Sequence, residues 1–385
     1  MFYGFPDQTS SAVLSISPPG NLSITTSSNQ IDPTLLLNQS IFGANPFNRP
    51  LTNPSFFAIF DPNMHAEVIQ MYNVSVQRQF GSSWVAEVGY MGNRGSHLLF
   101  FNNVNDAFPA VPSDTYTPQS RRRVSTVLGN LSYYAPQGYS NYNAMTLSIE
   151  KRYTQGFTLL ARYTWSRALG VDPASILGVN STAIVNPFDL KREYGPLEFD
   201  VISRGVMSYS YELPLGKGKR YLGYASKALD EIVGGWQVSG ITILQGGLPI
   251  TPVLGVSLGK TFTNSRPDVV GDPTASARQP YNWLNKSAFA IPSSSQIAAG
   301  DFFGNTGRGS VRAPGLVNFD FSLMKNFQVG ENRRLQFRCE FFNLMNTPFF
   351  GGDGYVNVNV SSPTFGQITQ AGDPRVIQLG LKFIF

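Results

Sequence analysis

The stretch Gln378-Leu379-Gly380-Leu381-Lys382-Phe383-Ile384-Phe385 (QLGLKFIF) decides the fold. Leu379, Leu381, Phe383 and Phe385 fall on every second residue, and Ile377 extends the series backwards. A period of two places these side chains on one face of a β-strand, with Gln378, Gly380 and Lys382 on the other. Most chain ends are polar and frayed, whereas this one stays in a strand pattern to its terminal Phe.

Working back from that strand, the same period recurs. Leu335, Phe337, Cys339 and Phe341 alternate with Gln336, Arg338 and Glu340, and before them Phe319, Phe321 and Leu323 alternate with Asn318, Asp320 and Ser322. GGWQVSGITILQ (234–245) reads as a strand with less clean faces, and Met207, Tyr209, Tyr211 and Leu213 form another. Two hairpins precede these. One joins the strand of Met145, Leu147 and Ile149 to that of Phe157–Trp165 through Thr154-Gln155-Gly156; the other joins 72–80 to 84–90 through Gly81-Ser82-Ser83. Turns of a few residues (81–83, 154–156, about 328–333) alternate with long connections (about 93–141, 168–199, 247–316 and 343–373). An intermediate connection, 214–235, contains a short helical pattern near Ser226–Ile232.

Long structureless connections are uncommon in soluble domains. They are the rule in a transmembrane β-barrel, where short periplasmic turns occupy one rim and long loops the other. Trp84, Tyr90, Trp165 and Trp236 lie near strand ends, where interfacial aromatics would sit. Glu150, Arg162, Asp320, Arg338, Glu340 and Lys382 occupy the opposite parity and are expected to face a lumen. Asp320 and Arg338 are placed to pair directly or diagonally. A soluble β-sandwich or a propeller also yields alternating strands, although no even-length repeat of the propeller kind is visible.

Composition sets further bounds. Of 385 residues, 42% are hydrophobic and only 14% charged, against a typical charged share of roughly 25%. No run approaches the ~18 apolar residues of a membrane helix. A net charge of +5 comes with scattered basic residues, and the one tight cluster is Arg121-Arg122-Arg123; nucleic acid is not an expected partner. The single Cys339 excludes an internal disulfide. His65 and His97 are far apart in sequence and lack ligand spacing. No residues form a catalytic triad, and no metal or other cofactor is expected. Asp200, Glu193 and Glu198 read as solvated loop charge. Gly216-Lys217-Gly218-Lys219 lacks the spacing of a phosphate loop and reads as a turn, and Gly304–Gly309 reads as loop. Phe302-Phe303 and Tyr281-Asn282-Trp283 fit either ligand contact or loop packing.

Several segments carry a family resemblance. RRLQFRCEFFNLMNTPFF (333–350), SPTFGQITQAGDPRVIQLGLKFIF (362–385), FGNTGRGSVRAPGLVNFDFSLMKNF (303–327), SRGVMSYSYELPLG (203–216) and GGWQVSGITILQGGLPIT (234–251) resemble the C-terminal barrel of Oar-like TonB-dependent outer-membrane receptors. The resemblance runs from about residue 66 to the end. It implies an all-β, antiparallel transmembrane barrel in the outer membrane, here about nine or ten strands of a larger one, since bacterial barrels have even counts. Residues 1–65 then form a loop-rich segment with one weak strand near Ala12–Ser17, and 66–385 form the barrel. The start, MFYGFPDQTS, carries no signal-peptide pattern, so the family's signal peptide and plug are expected to be missing upstream. By the same resemblance the partners are outer-membrane lipid, the barrel assembly machinery and, through the missing part, a plug domain and the TonB system. Gln378, Gly380, Leu381, Phe383 and Phe385 match the terminal signal that the assembly machinery reads. The implied activity is non-enzymatic transport of an unidentified substrate. The rivals are an outer-membrane structural or adhesive barrel and a soluble carbohydrate-binding β-sandwich.

Overall fold

A computed structural model describes residues 2–4, 57–109, 119–126, 129, 131–171, 185–186, 189–259, 265–329, 333–351 and 354–385. Nine long strands build one sheet: β1 (Glu67–Phe80), β2 (Trp84–Asn103), β3 (Leu131–Thr154), β4 (Phe157–Val171), β5 (Ser203–Glu212), β6 (Trp236–Gln245), β7 (Leu316–Gln328), β8 (Arg334–Phe342) and β9 (Val376–Ile384). Each pairs antiparallel with its neighbours in the chain, giving a meander from β1 to β9. Among the described residues the sheet does not close: β9 pairs only with β8, and β1 beyond Ile69 only with β2. The architecture is that of a partial barrel. The expected strand near Ala12–Ser17 lies outside the described residues.

Turn chemistry fixes the short rim. Gln155 and Gly156 both take positive φ (52° and 77°), the type I′ geometry whose twist matches flanking strands. The 213–235 connection holds α1 (Lys227–Val233), as its pattern predicted, capped by Ser226, whose side chain accepts from Leu229 N at 3.3 Å. Asp230 Oδ1 accepts the amide of Lys217 at 2.6 Å, so the Gly216–Lys219 turn is tied down by the helix.

Two strands are longer than their sequence pattern indicates. β2 has 20 residues and β3 has 24, where ~9–11 suffice to cross a membrane. Their upper halves project beyond the band of alternation, and the connection shrinks from 93–141 to 104–130. Register shifts between Gly95 and Phe100 mark the transition. There Leu99 and Tyr134 pack with Phe60 and Met64, and Phe57–Phe60 adds a short parallel strand to the start of β3.

Candidate functional site: a two-faced sheet under a packed loop cap

Cross-strand register carries one apolar face across the whole sheet. Val76 stands opposite Val88, Val88 opposite Leu147, and Leu147 opposite Tyr163. Further along, Phe321 stands opposite Phe341, and Phe341 opposite Ile377. These side chains are exposed: Val76 is 72%, Leu379 67% and Leu381 69% accessible. A continuous apolar face of this extent does not stay wet in a monomeric soluble protein. The face is bounded below by cations that lean on aromatic rings. Lys151 Nζ lies 5.9 Å from the Trp84 ring and 5.4 Å from Phe157. Lys325 Nζ lies 5.1 Å from Trp236 and 4.8 Å from Phe327, and donates to the carbonyl of Gly234. Such long side chains bury their stems in the apolar layer and reach the polar boundary with their charge. Trp236 Nε1 donates to Ile232 O at 2.9 Å. Higher on the same face sit Tyr90 and Trp165, both opposite Met145; Tyr90 Oη donates to Asn143 Oδ1 at 2.6 Å.

The other face carries the predicted polar set, as strand parity requires. Glu150 lies opposite Val85 and Leu160, and Arg162 opposite Ser148 and Val206. Glu340 faces Gln378, Lys382 faces Gln336, and Arg338 faces Gly380. The expected Asp320–Arg338 pair does not form. The register sets Arg338 against Met324, four residues from the level of Asp320. Asp320 Oδ1 instead accepts the amide of Asn343 at 2.9 Å, and Arg338 Nε donates to Gln336 Oε1 at 2.6 Å. Among the described residues no ion pair joins any two of these six groups. Leu381 and Phe383 pair opposite Phe337 and Leu335, while Phe385 lies beyond the ladder, its ring 6.1 Å from that of Phe383.

Above the sheet the long connections are packed into a cap. Leu254, Leu284, Ala288, Phe289, Val311, Ala313, Val356, Val360 and Phe365 form its core, drawn from the β6–β7 and β8–β9 connections. Val253 N donates to Val358 O at 3.0 Å, and Val360 N returns a bond to Val253 O at 2.8 Å. Phe302 is buried, and Trp283 packs against the core with Nε1 donating to Arg312 O at 2.8 Å. For these two rings the packing alternative holds, while Tyr281 is exposed.

Asp200, Glu193 and Glu198 are not solvated loop charges. Glu193, with no exposed side-chain surface, accepts from Arg266 Nη2 at 2.6 Å and from the Val185 amide at 3.0 Å. Glu198 lies 3.6 Å from Arg308. Asp200 is buried, paired with Arg312 and, at 3.4 Å, with Arg167, and accepts the Ala168 amide at 2.6 Å. Desolvation pulls the Arg266 guanidinium below the usual arginine range, opposed by the Glu193 charge. These pairs lock the β4–β5 connection to the β6–β7 connection. The partners lie far apart in sequence, and local pattern carries no trace of them.

Two other features of the sequence find their places. His65 and His97 have ring centroids 5.7 Å apart: the β1–β2 register, with Val68 opposite Ser96, makes them diagonal neighbours, two residues out of level. The arginine triplet is loop structure: Arg122 Nη1 donates to the buried Asn105 backbone at 2.8 Å, and Arg121 Nη2 to Pro109 O at 3.0 Å. Asn105 explains why. Its side chain accepts from Val124 and Ser125 and donates to Ser125 and Gly129, closing the 104–130 connection on itself.

An antiparallel sheet apolar outside and polar inside, with tight turns on one rim and long loops on the other, defines a membrane-spanning β-barrel protein. The chain belongs to the outer membrane beta barrel domain family, whose model matches residues 1–378, and its place is the outer membrane. Among solved structures, the outer membrane transporter YddB from Escherichia coli matches with 9% identity and a TM-score of 0.47, over 86% of this chain and 34% of that one. The ferric-catecholate import receptor Fiu from E. coli K12 matches with 11% identity and a TM-score of 0.40, over 84% and 28%. BauA, the ferric preacinetobactin receptor of Acinetobacter baumannii, gives 9% and 0.39, over 83% and 30%. The chain thus spans about a third of the length of these structures. No curated protein matches it in sequence.

Proposed function

We propose that this chain is the C-terminal part of the barrel of an Oar-like TonB-dependent receptor, taking part in transport of an unidentified substrate across the outer membrane. The observation that carries the reading is a sheet of nine long strands that stays open among the described residues. Unpaired edges cannot stand in hydrocarbon, so the strands fit a barrel of larger circumference, and 22-stranded outer-membrane transporters hold a plug in a lumen of that size. In this reading further strands and a plug domain complete the barrel, TonB acts on the plug, and the reaction is transport rather than catalysis. Trp84 and Trp236 form the lower aromatic girdle, and Tyr90 and Trp165 the upper. Glu150, Arg162, Asp320, Arg338, Glu340 and Lys382 line the lumen, and Gln378, Gly380, Leu381, Phe383 and Phe385 are read by the barrel assembly machinery.

The packed cap favours a second reading, an adhesive barrel whose loops present a rigid surface. Depletion of medium components by cells separates the two. Transport predicts a compound that wild-type cells remove and that stays in the medium when either this gene or the TonB gene is deleted. Unchanged depletion in both deletions, with lost surface adhesion, would overturn transport in favour of the adhesive role.

A further inference from the structure

The apolar face is not smooth. A groove of about 500 Å³ crosses β1 to β4, a volume within the ~300–1,000 Å³ of small-molecule sites. Its floor and walls come from Val76, Val88, Met145 and Trp165, and Asn143 and Arg167 border its long-loop end. The register explains the arrangement: Met145 faces Trp165, and two residues higher Asn143 faces Arg167. Both pairs lie on the outward face, so the groove opens towards the membrane and its polar end lies at the long-loop boundary.

Charge at that end is unbalanced. Asp200 is shared by two guanidinium groups and also accepts the Ala168 amide. Arg312 is the closer partner and the less exposed, at 22%; Arg167 is 42% exposed and stands off at 3.4 Å. One carboxylate against two arginines leaves a net positive charge at the mouth of an apolar groove. A guanidinium fork suits a phosphate better than any neutral headgroup.

We propose that this groove binds a phosphorylated glycolipid of the outer leaflet, with one acyl chain lying across β1–β4 and a headgroup phosphate on Arg167. The proposal rests on the outward assignment of the apolar face and does not depend on transport. Asn143, already bonded to Tyr90 and Asn141, borders the headgroup.

The test is native mass spectrometry of the full chain folded in detergent micelles, with lipid A and phosphatidylglycerol offered as separate probes. Wild type is expected to retain lipid A in preference to phosphatidylglycerol. Arg167→Gln should weaken lipid A binding by about tenfold or more, the scale of one charge-assisted hydrogen bond, and Arg167→Lys should restore part of it. Val88→Trp, which fills the groove, should weaken it comparably. If the tryptophan disturbs the sheet, judged by the gel-mobility shift of the folded barrel, Arg167→Gln alone decides, because it removes the charge at the cost of one methylene. Equal retention of the two lipids, or lipid A binding unchanged in Arg167→Gln, overturns the proposal.

Discussion

The buried pair of Glu193 and Arg266 offers the sharpest test of the cap. Glu193→Gln keeps the shape of the side chain and one acceptor for the Val185 amide, but removes the charge that faces Arg266 at 2.6 Å. Arg266 is 3% exposed, its Nε has no hydrogen-bond partner among the described residues, and the charges of Arg308 and Arg192 repel it. Breaking a pair buried this deeply costs ~3–5 kcal/mol, because the surviving ion is left uncompensated. The strands should be untouched, so the readout has to be local. Hydrogen exchange resolved by peptide, in micelles, reports the opening of the cap separately from the sheet. Exchange of the peptides carrying 189–200 and 265–269 should accelerate by about a hundredfold or more in Glu193→Gln, with β1–β3 unchanged. The double variant Glu193→Leu with Arg266→Met removes both charges. It should recover most of the protection, short of the ~1–3 kcal/mol lost at the Val185 amide. Exchange within about threefold of wild type in the single variant, or a double variant no better protected than the single, would refute the assignment of a buried ionic latch.

Three further outcomes follow from the same geometry. Leu147→Arg, on the outward face of central β3, should destabilise the barrel in lipid vesicles by ~2–4 kcal/mol in urea titration, whereas Ser148→Arg on the inner face should cost little; equal effects would contradict the assignment of faces. Gly304 sits at φ 63°, where an added Cβ would strike the carbonyls of Arg266 and Pro267, so Gly304→Ala should loosen the cap by ~2 kcal/mol or more. Gly307 has open space around it, and Gly307→Ala should stay within ~0.5 kcal/mol of wild type by the same exchange measurement. Asp272 accepts from Thr274 N at 2.9 Å and Thr274 Oγ1 at 2.7 Å, which holds its carboxyl below the usual carboxylate range. A depressed folded-state value stabilises above the unfolded value of ~3.9 and is lost as pH falls through the folded one. Protection of the hairpin of Thr274–Gln279 and Asn282–Leu284 should therefore fall in acid, and Asp272→Asn should abolish that dependence.

The nine strands were legible because two solvents act on them. Lipid on one side and a wet interior on the other force Leu147 and Ser148, or Leu381 and Lys382, to opposite faces, and the period of two is the imprint. Above the membrane that constraint lapses. In MGNRGSHLLFFNN (91–103) the alternation is lost while β2 continues, so its length is invisible to periodicity. The loop charges were misread for a related reason. Glu193 meets Arg266 across 73 residues, and Asp200 meets Arg312 across 112; no local signal spans such distances. The histidine pair was recoverable. Val68 faces Ser96 in the β1–β2 hairpin, and continuing that register sets Glu67 opposite His97, with His65 the diagonal neighbour on the same face. The Asp320–Arg338 expectation failed on register alone, since adjacency of strands does not fix which residues stand level.

The cap also sets an order of events. Its core needs Leu254 from the β6–β7 connection and Val356 and Phe365 from the β8–β9 connection, and Ser361 Oγ closes on Leu254 O across 107 residues. Contacts of such separation form late, after the loop-closure entropy between them has been met. Until the β8–β9 connection has crossed to the outer side, Leu254, Leu284 and Phe289 have no cover there, and the arginines of the latch have no dry environment in which to pair. The cap therefore acts as a completion mark: a chain hides this apolar surface once the β8–β9 connection is in place, and displays it before then.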